Sequence, residues 1–262
     1  MGVAKRAALV FAMGMRPVAF LIATVLLAAA PARAAEVDLA LVMAVDVSES
    51  VDAGEYVLQH EGIARAFENP AVIGAIRGGA KSGIDVLVME WSDRNKQAVT
   101  VDWTHVSDQA SAAAFAAKLR ASKRSSNGLT AIGDALLAAD AAFKRLGDHP
   151  ARRVIDLSGD GMANIGPPPD EVRDALVKQG ITINGLAILQ TEPWLDQYYD
   201  MNVIGGTNAF LLQVDNFASF AQAMQQKLLN EISALPQHRN VSAGPWWARP
   251  KSIPPKTLAQ MQ

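Results

Sequence analysis

A run of seven apolar residues, Leu39 to Val45, ends directly on Asp46-Val47-Ser48-Glu49-Ser50. That junction limits the possible folds of this chain more than any other stretch. An apolar run of this length reads as a strand covered on both faces, the habit of parallel sheets inside α/β domains. Ligands of such sheets bind outside the carboxyl ends of the strands, so a carboxylate that ends a buried strand is aimed at a ligand edge. The Asp-x-Ser-x-Ser spacing sets three hard oxygen donors on alternate residues of one loop. That donor set suits a small oxygen-loving cation such as Mg²⁺.

The remaining pattern alternates strand and helix. Asp52 and Glu55 form a capping box ahead of Tyr56, Val57, Ile63, Ala64 and Phe67 at helical spacing. Asn69-Pro70 breaks that helix before a short one, Ala71 to Ile76. Ile84 to Trp91 is the next core strand, and Gln97 to Trp103 alternates polar and apolar residues as an edge strand hairpinned to it would. Ser107 to Ala121 is amphipathic, and Thr130 is placed to cap a helix from Ala131 to Leu146. Arg153 to Leu157 is a strand that runs into Ser158-Gly159-Asp160-Gly161, a second strand ending on an Asp. Pro167 to Pro169 lead into a helix, Glu171 to Gln179, closed by Gly180. Ile181 to Leu189 and Phe210 to Val214 are further strands, with a helix between them that Pro193 opens and Gly205-Gly206 ends. Phe217, Phe220, Ala221, Met224, Leu228 and Ile232 mark a last amphipathic helix. This order predicts an α/β fold, doubly wound, with a mostly parallel central sheet, one antiparallel edge strand and helices on both faces.

The two ends read differently from the middle. Lys5, Arg6 and Arg16, an apolar run from Pro17 to Ala30, and Ala32-Arg33-Ala34 have the form of a secretory signal peptide over residues 1–34. Arg16 leaves the apolar run short of a spanning helix, so no stable membrane insertion is expected after cleavage. Residues 35–235 are then the folded domain, exported to the periplasm or secreted. Residues 236–262, rich in Pro and polar groups around Trp246-Trp247, read as a flexible tail. Cleavage would remove four of the 24 Lys and Arg and none of the 26 acids; the mature charge of about −6 argues against nucleic acid as a partner. The chain has no cysteine, which excludes disulfides and thiolate sites.

Asp-x-Ser-x-Ser by itself is a weak signal, and Asp46, Ser48, Ser50, Thr130 and Asp160 are each common caps or turn formers. Their company gives them weight, because all would meet at one sheet edge. Here the sequence resembles the von Willebrand factor A domain, the integrin I-like fold. Asp46, Ser48 and Ser50 match that family's first metal-site segment, Thr130 in GLTAIGDAL the second, and Asp160 in LSGDG the third. Within the family, the chain is most similar to an exported bacterial subgroup of uncharacterised function. The resemblance covers roughly Val37 to Ala234 and implies a metal-ion-dependent adhesion site holding Mg²⁺ or Mn²⁺. It also implies a protein partner that supplies an Asp or Glu carboxylate.

The expected function is therefore metal-dependent protein binding without catalysis. A Mg²⁺-dependent phosphohydrolase and a metal-free scaffold are the alternatives. Neither a Walker-type loop nor a Gly-x-Ser-x-Gly elbow occurs. Glu49, Asp52, Glu90 and Asp134 are expected to cap helices or face solvent. Asp156 is expected at a strand edge, in solvent or behind the site. His60, His105, His149 and His238 lack metal-ligand spacing and are assigned no chemistry.

Overall fold

Every residue of Leu39–Asp46 is buried, and together they form strand β1 of the computed structural model, which describes residues 37–146 and 150–233. The expected leader 1–34, the tail 236–262 with Trp246-Trp247, and His149 and His238 lie outside the described residues. After β1 the chain forms α1 (Ala53–Glu68), α2 (Pro70–Gly78), β2 (Ile84–Trp91), β3 (Gln97–Val106), α3 (Gln109–Ala121) and α4 (Ile132–Leu146). Then come β4 (Arg153–Gly159), α5 (Pro169–Lys178), β5 (Ile181–Ile188), α6 (Leu195–Asn202), β6 (Leu211–Val214) and α7 (Phe220–Ser233). The strands build one sheet in the order β3-β2-β1-β4-β5-β6. β1 pairs in parallel with β2 and β4, and β5 and β6 extend the parallel set. β3 runs antiparallel to β2 at the edge, as the alternating pattern predicts.

Side chains of β1 alternate between two apolar layers. Leu39, Leu41, Met43 and Val45 join Ile63 of α1, Val72 of α2, Phe115 of α3 and Phe220 of α7 on one face. Ala40, Val42 and Ala44 join Leu136 of α4, Leu176 of α5 and Tyr199 of α6 on the other. This is the doubly wound arrangement, and it explains why a central parallel strand is apolar throughout. Full burial of a Val, Leu, Ile or Phe stabilises by about 1.5–3 kcal/mol, so these two layers hold the fold. The polar carboxyl edge does not.

Local signals set most boundaries. Asp52 caps α1 by accepting from Gly54 N and Glu55 N, while Glu55 accepts from Asp52 N. Asn69 closes α1 and also caps α2, accepting from Ala71 N at 2.8 Å. Thr130 departs from expectation. Helix α4 begins at Ile132, so Ala131 stands at its N-cap, and Thr130 lies one residue further out with its hydroxyl free for another role. β3 runs to Val106 rather than Trp103, because its ladder with β2 continues to the Ile84–Val106 pair. No helix among the described residues is long and apolar enough to cross a membrane.

Candidate metal site

From β1 the sheet grows outward to β2 and β3, then the chain returns to β4 on the other side of β1. Strand order therefore reverses between β1 and β4. The chain leaves β1 for α1 on one face and β4 for α5 on the other, and diverging connections of this kind open a crevice at the carboxyl edge. Asp46 is the last residue of β1, and Asp160 is the first after β4.

The first loop folds back on its own carboxylate. Ser48 N donates to Asp46 Oδ1 at 2.7 Å, an Asx-type turn. The Ser48 and Ser50 hydroxyls lie 3.2 Å apart, and Ser50 Oγ donates to Asp160 Oδ1 at 2.6 Å. Thr130 arrives from a third segment: a Cβ placed on Gly161 would lie 3.7 Å from Thr130 Oγ1. Asn164 fixes Thr130 from both sides, its Oδ1 accepting from Thr130 N at 2.9 Å and its N–H donating to Thr130 O at 3.1 Å. All five expected residues thus converge on one edge.

Residues that the sequence does not advertise brace this cluster. Arg124, in the loop before α4, donates through Nη2 to the carbonyls of Val47 and Ser48 at 2.8 and 2.9 Å. Gln59 Nε2 of α1 donates to Asp46 O at 3.0 Å, and Glu49 N donates to Gly128 O at 2.8 Å. These bonds tie the Asp46–Ser50 loop to α1 and to the loop between α3 and α4. The oxygen donors are consequently fixed before any ligand arrives, which lowers the cost of ordering them on binding.

Charge at the site is uncompensated. Burial pushes the Asp46 carboxyl up to about 7, the nearby Asp160 carboxylate adds to the rise, and the bond from Ser48 opposes it. Burial also raises Asp160, against the bond from Ser50. Asp46 is fully buried, and its Oδ2 has no hydrogen-bond partner. Two crowded carboxylates and an orphaned buried oxygen are what a divalent cation would relieve. Among the described residues no group of three or more Asp, Glu and His side chains is placed to hold a metal ion. Two carboxylates and three hydroxyls would therefore make up the donor set, and its hardness fits Mg²⁺ or Mn²⁺.

The other acids divide into those that match expectation and those that do not. Asp52 caps α1 and Glu49 is exposed, as the sequence suggests. Glu90 is instead fully buried, accepting from Tyr56 Oη at 2.9 Å and Ser125 N at 2.6 Å, and facing His60 Nε2 at 3.0 Å. Its place in β2 points it under α1, away from solvent. Asp156 is neither at an edge nor solvated. It lies inside β4 and pairs with Lys227 of α7, Nζ to Oδ1 2.9 Å. His105 faces Asp85 at 2.9 Å, so His60 and His105 have structural partners.

Residues 36–236 match DUF1194, a family of proteins of unknown function. The chain belongs to that family. No curated protein matches this DUF1194 chain. Among solved structures it is similar to proximal thread matrix protein 1 from the mussel byssus, with a zinc-occupied MIDAS motif. There the identity is 17%, the TM-score 0.52, and the match covers 76% of this chain and 47% of that one. A von Willebrand factor type A protein from Catenulispora acidiphila is similar at 18% identity and TM-score 0.54, over 75% of this chain and 43% of that one. The vWF domain of the type V pili tip protein Mfa5 from Porphyromonas gingivalis is similar at 12% identity and TM-score 0.53, over 79% of this chain and 99% of that one. The DUF1194 chain thus spans less than half the length of the first two. The fold is that of the von Willebrand factor A domain.

Proposed function

We propose that this DUF1194 protein is an exported, non-catalytic binding module that captures an Asp or Glu side chain of a partner protein through Mg²⁺ or Mn²⁺. The observation that carries the reading is the Asp46 carboxylate, fully buried, with one oxygen unpartnered and a second carboxylate, Asp160, close enough to raise it. Asp46, Asp160, Ser48, Ser50 and Thr130 would hold the ion. When bound, the cation supplies a Lewis-acidic position open to one more oxygen. Because three of the five holding groups are neutral hydroxyls, little negative charge is spent within the chain, and a carboxylate from outside is the favoured addition.

Two further features support binding over turnover. The Ser48 and Ser50 hydroxyls bond to each other and Ser50 also bonds to Asp160, while His60 and His105 are engaged by Glu90 and Asp85. Among the described residues no histidine base therefore stands beside a serine nucleophile. Export is supported by the signal-like leader and by the similarity to a pilus tip domain.

The test is a pull-down from envelope extract with the wild-type protein and Asp46→Ala, each with and without EDTA. A partner retained by the wild type in Mg²⁺ and lost both with EDTA and in the variant supports the reading. An identical set of partners under all four conditions overturns it.

A further inference from the structure

The Tyr199 side chain of α6 is fully buried, and its hydroxyl has no hydrogen-bond partner. A buried phenol without a partner is rare, because the O–H loses its water and gains nothing in return. Two glycines make room for it. A Cβ on Gly185 of β5 would meet Tyr199 Cδ1 at 3.2 Å, and a Cβ on Gly159 of β4 would meet Tyr199 Oη at 2.6 Å. The ring thus lies over β5 and β4 and points toward β1. The same hypothetical Cβ on Gly159 would lie 2.8 Å from Asp46 Oδ2, so both oxygens border the one small space above Gly159.

Asp46 Oδ2 is itself fully buried and unpartnered. One orphan is a donor, since a phenol keeps its proton at neutral pH, and the other is an acceptor when the carboxylate is ionised. The two complement each other across the gap that only glycine leaves at position 159. We propose that Tyr199 is a positioning residue of the cation site, its hydroxyl donating to Asp46 Oδ2 across Gly159, directly or through one bridging water. A carboxylate oxygen can accept twice, so the bond would orient the carboxylate and still leave a lone pair of Oδ2 for the ion, the role that outer hydrogen-bond partners have in metal sites generally. This inference rests on the proposed metal reading and adds to it a residue from α6, far in sequence from all five holding groups.

Mn²⁺ titration of the purified protein, followed by electron paramagnetic resonance, tests it with four proteins: wild type, Tyr199→Phe, Asp46→Asn and the double variant. Tyr199→Phe should bind Mn²⁺ about 10- to 100-fold more weakly, with its metal-free melting temperature close to wild type because the ring is kept. In the Asp46→Asn background the same change should add nothing, the non-additivity expected of groups acting through each other. If Asp46→Asn weakens binding and Tyr199→Phe does not, the inference falls while the metal reading stands. If Tyr199→Phe weakens binding equally in both backgrounds, Tyr199 acts through the fold and the inference also falls. If every variant binds as the wild type does, the metal reading falls and takes the inference with it.

Discussion

Lys227 of α7 reaches Asp156 of β4, Nζ to Oδ1 2.9 Å, with both side chains buried. A second acid, Glu231, lies 2.8 Å from the same ammonium and accepts from Asn184 Nδ2 at 2.9 Å. Burial alone would lower the lysine, but the two carboxylates outweigh it and hold the ammonium charged. Burial, with the neighbouring Glu231, raises Asp156 to about 7.

A carboxyl raised in the folded state contributes stability that is present below its unfolded value, near 3.8, and lost as pH rises through about 7. Asp156→Asn fixes the neutral form. The variant should match wild type near pH 4 and become progressively the more stable of the two as pH rises to 8, read as the difference in melting temperature. A constant difference across that range would show that Asp156 is not protonated on folding. Lys227→Met should behave oppositely and be strongly destabilised at pH 8, by about 3–5 kcal/mol, because it leaves buried acids without their cation.

On the surface, Arg120 of α3 donates to Glu61 and Glu68 of α1 at 2.8 and 2.7 Å. The Arg120 bond, then the one from Arg65, lowers Glu61 from 4.5 to about 2. A lowered carboxyl stabilises above its unfolded value and loses that contribution as pH falls from about 4.5 through 2. Arg120→Met should therefore lower stability at pH 7 by at most about 1 kcal/mol, the scale of an exposed pair, and that difference should shrink to nothing as pH falls through 2, which flattens the acid limb. An unchanged acid limb in chemical denaturation would remove the Arg120 clamp from consideration.

The sheet, its antiparallel edge and the meeting of Asp46, Ser48, Ser50, Thr130 and Asp160 at one edge were legible because each rests on a local pattern. An apolar run shows β1, Asp46 and Asp160 each follow such a run, and Thr130 precedes an amphipathic helix. What stayed hidden depends on contacts distant in sequence. Lys227 sits among the apolar positions of α7; Glu231 is one turn further along the same helix, but nothing near it in sequence announces Asp156 of β4, the other acid that lets it be buried. Glu90 looks like a strand-end acid until α1 brings Tyr56 and His60 over it. Arg124 reads as one more charge in a polar loop, and only the folded chain shows it spanning two carbonyls of the Asp46–Ser50 loop. Thr130 misled in a smaller way: a Thr before a helix suggests a cap, but the helix begins one residue later and frees the hydroxyl.

Gly159 should be intolerant of any side chain. A Cβ there would press on Tyr199 Oη and Asp46 Oδ2 at once, at 2.6 and 2.8 Å, and overpacking of this kind costs about 1–3 kcal/mol. Gly159→Ala is expected to lower the metal-free melting temperature and to weaken the response to Mg²⁺. Gly74→Ala, in the middle of α2 where a Cβ meets nothing within 4 Å, is the control: it should leave the Mg²⁺ response unchanged and raise the melting temperature slightly, because Ala favours a helix over Gly by about 1 kcal/mol. A full Mg²⁺ response in Gly159→Ala would show that this space is not part of the site.

Metal should stabilise the folded domain by mass action, because a cation that binds only the folded state adds RT ln(1 + [L]/Kd), about 2.7 kcal/mol at a hundredfold excess over Kd. Mg²⁺ or Mn²⁺ should accordingly raise the melting temperature of wild type and leave Asp46→Ala and Thr130→Ala nearly unmoved. Thr130 separates site from fold most cleanly here. Its backbone is held by Asn164 whatever its side chain, so Thr130→Ala removes one hydroxyl from the edge without releasing the loop. Equal shifts in wild type and both variants would show that these side chains do not hold the ion.

The partner side of the interaction yields the sharpest outcome. If the fixed donors of Asp46, Ser48, Ser50, Thr130 and Asp160 leave one position for an outside oxygen, the group that fills it must bring charge as well as shape. A partner segment in which the engaged Asp or Glu is changed to Asn or Gln should then lose about 2–5 kcal/mol of binding, since the amide is isosteric but neutral. Replacing Mg²⁺ by Ca²⁺ should weaken the same complex, because Ca²⁺ takes 6–8 oxygens at longer distances than a tightly braced edge allows. Phosphomonoesters and phosphodiesters should be left intact under the same conditions. Metal-dependent turnover that disappears in Asp46→Ala would overturn the binding reading, because it would require a positioned base near Ser48 or Ser50 that the bonds made by His60 and His105 do not supply.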